Sequence, residues 1–307
     1  MGFLGIGNGK QGKTAAGADG VSREEQTRVD DREVRFLLAP PEPGENEPDL
    51  RLPILFLHGL GCTGDVWTPT IEELQGRGLC LPAVAPDLPG FGRSPGPANA
   101  LSMNELGDWA ARFLDVRKIA RAHIVGNSMG CQVTLALARQ HPERVGGLIL
   151  QGPTTGNRLV PMWRYVVGLA ADGFQETLNY NARLAYMYFQ AGPRQYFQTV
   201  RKMMEDDPLG EAKRVSAPVM VIRGGHDAIV SDRVARKLAA ALPDAVYTPL
   251  DSAAHAIEYN NPGEFTDAMV TFLTRVEERL GLREAGPETC PAERKEADAA
   301  STAVSSR

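Results

Sequence analysis

The sequence predicts an α/β protein, a mostly parallel sheet covered by helices on both faces. Short apolar, β-branched runs alternate with longer helix-like segments along the body of the chain, the pattern that parallel sheets buried on both faces produce. The chain is 307 residues long and 43% hydrophobic, enough for a sizeable buried core. No internal repeat is visible. Strands are expected at 34–38, 53–57, 83–85, 122–125, 148–150, 219–223 and 246–248, with helices at 103–114, 132–140, 232–241 and 262–280 among the stretches between them.

The two ends differ from this body. Residues 1–32 are rich in Gly, Lys and Glu, and 283–307 are rich in Ala, Ser, Pro and Glu. Neither has apolar periodicity, so neither can bury enough surface to offset its ordering entropy, and both are expected to be disordered. About 250 residues then remain for one folded unit.

Composition excludes several function classes. Thirty-three Lys and Arg against 38 Asp and Glu leave a net charge of -5, with no basic field to gather nucleic acid. No run reaches the roughly 18 apolar residues of a membrane span, and the start lacks the compact apolar stretch of a signal peptide. A soluble, cytoplasmic protein is expected. Cys62, Cys80, Cys131 and Cys290 are scattered, without a C-x-x-C pair, so unpaired thiols are expected rather than a disulfide framework or a metal site. Residues 7–14 (GNGKQGKT) fit the phosphate-loop expression. That motif needs a buried strand before it and a helix after it, and this stretch offers neither, so no nucleotide site is assigned.

Open α/β sheets place their chemistry at the carboxyl ends of strands, and three such ends carry reactive groups. After strand 122–125 comes GNSMG, a G-x-S-x-G turn leading into a helix. A sharp strand-to-helix turn strains its central residue and lifts the Ser128 hydroxyl clear of the sheet. Serine is a poor nucleophile near neutral pH, so it needs a base, and the base needs an acid to fix its tautomer. His255 lies in a small-residue loop after the last apolar strand, where an imidazole can reach across the sheet's edge. His58, His123 and His141 suit structural roles better. Asp227 follows strand 219–223 behind two glycines and is the acid candidate, since Asp251 and Glu258 flank His255 too closely. The third strand end is HGLG at 58–61, where the N–H of Leu60, with that of Met129, can form an oxyanion hole.

Taken together, HGLG at 58–61, DLPGFGRS at 87–94, GNSMG at 126–130, GGHDAIV at 224–230 and His255, in nucleophile, acid, base order, resemble the α/β-hydrolase fold superfamily over about residues 33–282. The resemblance implies an eight-stranded, mostly parallel sheet, a helical cap inserted after the sixth strand, and acyl chemistry without a cofactor. Core segments 33–152 and 215–282 would then flank a cap at 153–214. The length of that interval supports an insertion independently, because ordinary connections run about 2 to 6 residues. It holds nine of the chain's twenty aromatics, which favours an apolar pocket wall; Trp67, Trp163 and Tyr186 are the pocket candidates.

The expected activity is hydrolysis of carboxylic esters with small to medium apolar acyl groups through an acyl-enzyme on Ser128. Serine at this position argues against the dehalogenase and epoxide-hydrolase branches that the chain otherwise resembles, which use aspartate there. Thioesterase, perhydrolase and carbon–carbon bond hydrolase chemistries share one triad and stay open, as does a ligand receptor that retains it. The oligomeric state is not legible.

Overall fold

The computed structural model describes residues 22–39, 50, 52–79, 81–156 and 160–283. The phosphate-loop string, Cys80, Cys290 and the tail from 284 onward lie outside the described residues.

Eight strands form one sheet in the order β1-β2-β4-β3-β5-β6-β7-β8. These are β1 (Arg23–Val29), β2 (Arg32–Ala39), β3 (Ile54–Leu57), β4 (Ala83–Pro86), β5 (Ala122–Asn127), β6 (Val145–Gln151), β7 (Val219–Gly224) and β8 (Ala245–Leu250). The pairings of β1 with β2 and of β2 with β4 are antiparallel; all others are parallel. The expected eight-stranded, mostly parallel sheet is what the chain forms.

Successive side chains of the central strands serve opposite layers, as the strand period of two requires. Leu55 and Leu57 of β3 join the core beneath α2 (Met103–Val116) and α3 (Met129–Gln140). Ile54 and Phe56 join the other core, with Ile71 and Leu74 of α1 (Thr68–Gly76) and Phe265, Met269 and Leu273 of α10 (Pro262–Arg279). Helix α2 starts on a capping box, Ser102 with Glu105, which satisfies two otherwise orphaned N–H donors. Helix α8 (Asp232–Ala241) lies between β7 and β8, and the short α9 (Ile257–Asn260) precedes α10.

Between β6 and β7 the chain forms four helices: α4 (Met162–Asp172), α5 (Leu178–Ala191), α6 (Pro193–Glu205) and α7 (Pro208–Ala212). Among the described residues, no helix is long and apolar enough to cross a membrane. Cys62 and Cys131 are buried free thiols.

Two expectations need correcting. The polar leader was expected to run to residue 32, yet Arg23–Val29 is an edge strand. It pairs with β2 through backbone bonds across a two-residue turn, Asp30-Asp31, with φ of 49° and 61°. Charged edge strands carry no hydrophobic alternation to read, because their pairing is made by the main chain. Strand β6 begins at Val145, three residues earlier than expected, because Gly146 and Gly147 interrupt the apolar run without interrupting the strand.

Candidate active site

Strand β5 delivers the chain directly into α3 with Ser128 between them. Ser128 sits at φ 53°, ψ -113°, a conformation non-glycine residues hold only when their surroundings over-determine it, at about 1–3 kcal/mol. The constraint comes from both sides. Ser128 N donates to Gln151 O at 2.8 Å, and Cys131 N donates to Ser128 O at 3.1 Å. The flanking glycines are required by close approach: a Cβ on Gly126 would lie 2.6 Å from Gly130 O, and one on Gly130 would lie 2.3 Å from Leu57 O. Ser128 is half-buried.

The loop after β3 lies against this turn, with Gly59 packed on Asn127 and on Ser128 Cβ. His58 holds it there. Its Nδ1 donates to Gly59 O (2.8 Å) and its Nε2 accepts from Leu88 N (2.9 Å), a pairing that fits the neutral ring with one proton on Nδ1. Burial lowers its pKa and keeps that form. Met129 occupies the first position of α3, whose N-terminus has no side-chain cap; N–H groups there point out of the helix toward incoming negative charge.

Asp227 is buried and fully engaged. Its Oδ1 accepts from Ile229 N and Val230 N, both at 2.8 Å, and its Oδ2 lies 2.8 Å from His255 Nδ1. Arg223 braces the loop, donating to Val230 O and to Asp227 O. The acid and base expected from the sequence are therefore in direct contact. His255 and Ser128 are not joined by a hydrogen bond, but both are anchored on Gln151-Gly152 at the end of β6. Gln151 accepts from Ser128 N through its backbone, accepts from Asn127 Nδ2 (2.7 Å) through its side-chain oxygen, and donates from Nε2 to His255 O. Gly152, at φ 55°, lets the imidazole rest on the backbone; a Cβ there would meet His255 Nδ1 at 2.9 Å. Apo catalytic bonds are often open and tighten on substrate binding.

The other histidines have structural partners. His123 Nδ1 accepts from Gly147 N and its Nε2 meets Glu277; His141 Nε2 meets Asp108. His226 is exposed.

Two carboxyl groups near His255, Asp172 and Glu176, were not anticipated, and a third, Glu258, was expected only as a flanking acid. Asp172, at the end of α4, faces the backbone N–H of His255. Glu176, in the connection to α5, accepts from Ala256 N at 2.8 Å and from Asn260 Nδ2. Glu258 on α9 is completely buried, and neither carboxyl oxygen has a hydrogen-bond partner. Burial pushes Asp172 up to about 7 and Glu258 up to about 8. For His255 burial works downward, but the charge and hydrogen bond of Asp227, with Asp172 and Glu258 behind them, hold the imidazolium to about 9. One signal in the sequence marks two of these groups: Asp172 and Glu176 are the only acids between 162 and 204.

The pocket candidates are placed elsewhere. Trp67 is fully buried in the core, stacked on Phe56 at 4.7 Å and near Phe265. Trp163 and Tyr186 are each 62% exposed on the outer faces of α4 and α5. The aromatics that do reach the loop are Tyr188, which packs on Gly61, and its neighbour Tyr196, with ring centroids 5.2 Å apart. Helical rotation separates Tyr186 from Tyr188 by about 200°, so one residue type in one segment serves two opposite faces. Among the described residues, no group of His, Cys, Asp or Glu is arranged to hold a metal ion.

Comparison with known proteins places these features in context. The model of the alpha/beta hydrolase family matches residues 54–268. A 2-hydroxy-6-oxononadienedioate/2-hydroxy-6-oxononatrienedioate hydrolase of Cupriavidus pinatubonensis is 28% identical, over 72% of this chain and 86% of that one. A pimeloyl-[acyl-carrier protein] methyl ester esterase of Citrobacter koseri is 26% identical, over 73% of this chain and 94% of that one. The crystal structure of the enol-lactonase from Burkholderia xenovorans superposes with a TM-score of 0.65 at 25% identity, covering 81% of this chain and all of that one.

Proposed function

The chain belongs to the alpha/beta hydrolase family, and we propose that it is a serine hydrolase of carboxylic esters with apolar, small to medium acyl groups, working through an acyl-enzyme. The observation that carries the reading is the attachment of a strained Ser128 and an Asp227-paired His255 to the same strand end, Gln151-Gly152.

In this mechanism Ser128 Oγ attacks the acyl carbon while His255 Nε2 takes its proton, and Asp227 stabilises the imidazolium on the opposite nitrogen. The N–H groups of Leu60 and Met129 hold the tetrahedral oxyanion, where loss of one donor typically costs about 2.7–4 kcal/mol. The tetrahedral intermediate collapses, and the alcohol leaves with the proton from His255. Water then repeats the sequence on the acyl-enzyme and restores the serine. The four helices between β6 and β7 act as the cap, with Tyr188 and Tyr196 as its inner wall beside the oxyanion loop. The soluble, cytoplasmic setting belongs to the same proposal, as does a substrate other than nucleic acid.

A second reading, carbon–carbon bond hydrolysis of a vinylogous diketone, is favoured by the name of the Cupriavidus relative. The carboxyl groups about the base do not decide against it, because burial favours the neutral forms of Asp172 and Glu258. Thioesters remain compatible with the same groups, and a receptor that retained them would turn substrate over extremely slowly.

Purified protein offered short nitrophenyl esters, the matching thioesters and a vinylogous diketone separates these readings. Turnover is expected on the esters, with Ser128→Ala lowering kcat by about 10⁴–10⁶ at a nearly unchanged melting temperature. Full activity in Ser128→Ala overturns the mechanism. Cleavage of the diketone alone replaces the ester reading with the second one.

A further inference from the structure

Nine large apolar side chains are prominently exposed among the described residues, and seven of them lie between positions 163 and 197: Trp163, Val167, Phe174, Leu178, Tyr186, Phe189 and Phe197. Their spacing is ordered. On α4 and just beyond it, Trp163, Val167, Ala170 and Phe174 recur at intervals of four, three and four, all exposed. On α5, Leu178, Ala182, Ala185 and Phe189 repeat the same intervals, with Tyr186 beside them, again all exposed. Each set is one stripe of an α-helix. The opposite faces of the same helices are also apolar, with Tyr165, Tyr180 and Met187 buried. An amphipathic helix covering a core would turn polar groups outward, so these outer stripes are unexplained by packing.

The charges in this segment are sorted. Between 162 and 204 the cations are Arg164, Arg183, Arg194, Arg201 and Lys202, and the only acids are Asp172 and Glu176. Both acids are buried against the His255 loop, so no exposed carboxylate of this segment accompanies the stripes, although the whole chain carries a charge of -5. Arg164 lies over the Trp163 ring at 5.7 Å, at the edge of the α4 stripe. Arg183, about 140° around α5 from the stripe, approaches Asp65 at 3.8 Å, and Arg201 and Lys202 share Glu205.

We propose that the outer faces of α4 and α5 dock the protein onto an anionic lipid surface, with the apolar stripes entering the headgroup boundary and Arg164 at their margin meeting lipid phosphate. Aromatic and aliphatic side chains on one face, a cation at its margin and, among the described residues, no span-length helix are the composition of an in-plane, peripheral attachment. Charge selects this occupant over a second copy of the chain, because a two-fold contact through this face would bring Arg164 toward its own symmetry copy with no exposed carboxylate between positions 162 and 204 to receive it. The attachment does not depend on the reaction proposed above.

The protein supplies its own probe. Of its three tryptophans, Trp67 and Trp109 are buried and only Trp163 is exposed. Full-length protein is mixed with vesicles of phosphatidylcholine alone or of phosphatidylcholine with phosphatidylglycerol, at low and high salt, and followed by flotation and by tryptophan emission. Flotation with the phosphatidylglycerol vesicles and a blue shift of the emission are expected, both weakened by salt and by omission of the anionic lipid. Phe174→Glu, Leu178→Glu and Phe189→Glu together should lower vesicle affinity about tenfold or more. These positions are exposed, so an unchanged melting curve shows that the variant is folded, and Trp163→Phe should silence the blue shift while leaving flotation largely intact. Failure to float with anionic vesicles overturns the proposal. Equal binding by the triple variant, or a dimer in sedimentation that the triple variant dissolves, overturns it as well, the latter in favour of a contact between copies.

Discussion

Replacing Glu258 with Gln should reverse its effect on stability between mildly acidic and mildly alkaline pH. The Glu258 carboxyl is fully buried without a hydrogen-bond partner, and burial raises it from 4.5 to about 8, with Glu176 and Asp172 adding to the shift and the charge of His255 opposing it. The folded state therefore keeps this proton through a window in which the unfolded chain has lost it. Stability from this group is intact below about pH 4.5 and declines as pH rises toward 8, by up to about 4–5 kcal/mol at roughly 1.36 kcal/mol per pH decade. Glutamine does not titrate, but its amide leaves buried groups unsatisfied at every pH, at about 1–3 kcal/mol. Glu258→Gln should be less stable than the parent by about that amount near pH 5, and more stable by about 1–3 kcal/mol near pH 8.5. His255 works in the same direction in the parent: held at about 9, above its ordinary 6.5, it contributes stability below 6.5 that is lost as pH rises through 9. Urea unfolding at both pH values, with unchanged slopes, measures the difference. Parallel pH dependence of the two proteins would refute the account of Glu258 as a buried, uncompensated acid.

Two further outcomes concern the base. The acid limb of kcat/KM on a neutral ester should fall near pH 9 rather than 6.5, because His255 must be deprotonated to act. Asp172→Asn or Glu258→Gln should move it to lower pH by removing a charge that favours the imidazolium, and a limb that stays in place in both variants contradicts that cause. Gly152→Ala places a methyl group within 3 Å of the His255 ring at a φ of 55°. It should lower kcat by about tenfold to a hundredfold while costing only about 1–2 kcal/mol in unfolding free energy; undiminished kcat would show that the ring does not need its present seat.

The central sheet and the positions of Ser128, Asp227 and His255 were legible because each depends on a local pattern. Buried parallel strands read as apolar runs, and sharp turns at strand ends read as glycines beside a reactive residue. What escaped depends on contacts between distant segments. Gln151 looks like an ordinary residue after a strand, and only folding places it between Ser128 and His255. Strand β1 escaped because its bonds are made by backbone and its side chains are charged. Trp163 and Tyr186 were misplaced because an aromatic count ignores helical rotation. Applying the 3.6-residue period to α4 and α5 would have separated the outward stripe from Tyr180 and Met187 on the inner side.

The inserted segment is also tied to the base by polar bonds, and that tie has kinetic consequences. Glu176 accepts from Ala256 N, the residue after His255, and from Asn260 Nδ2, while Thr177 Oγ1 donates to Asn260 Oδ1 at 2.9 Å. The connection between α4 and α5 thus fixes both ends of the short helix α9 that follows the histidine. Truncation at Glu176 leaves the buried N–H of Ala256 without an acceptor, at about 1–3 kcal/mol, and the loop can recover that only by turning toward water, which carries His255 off Asp227. Glu176→Ala is therefore expected to lower kcat by about tenfold or more with little change in KM, since misalignment at the base weakens the transition state more than the bound ester. Glu176→Gln retains an acceptor oxygen and should restore most of the rate. A purely structural carboxylate would lower the melting temperature in both variants and leave kcat per folded molecule untouched, and that result would remove Glu176 from any account of how His255 is aimed.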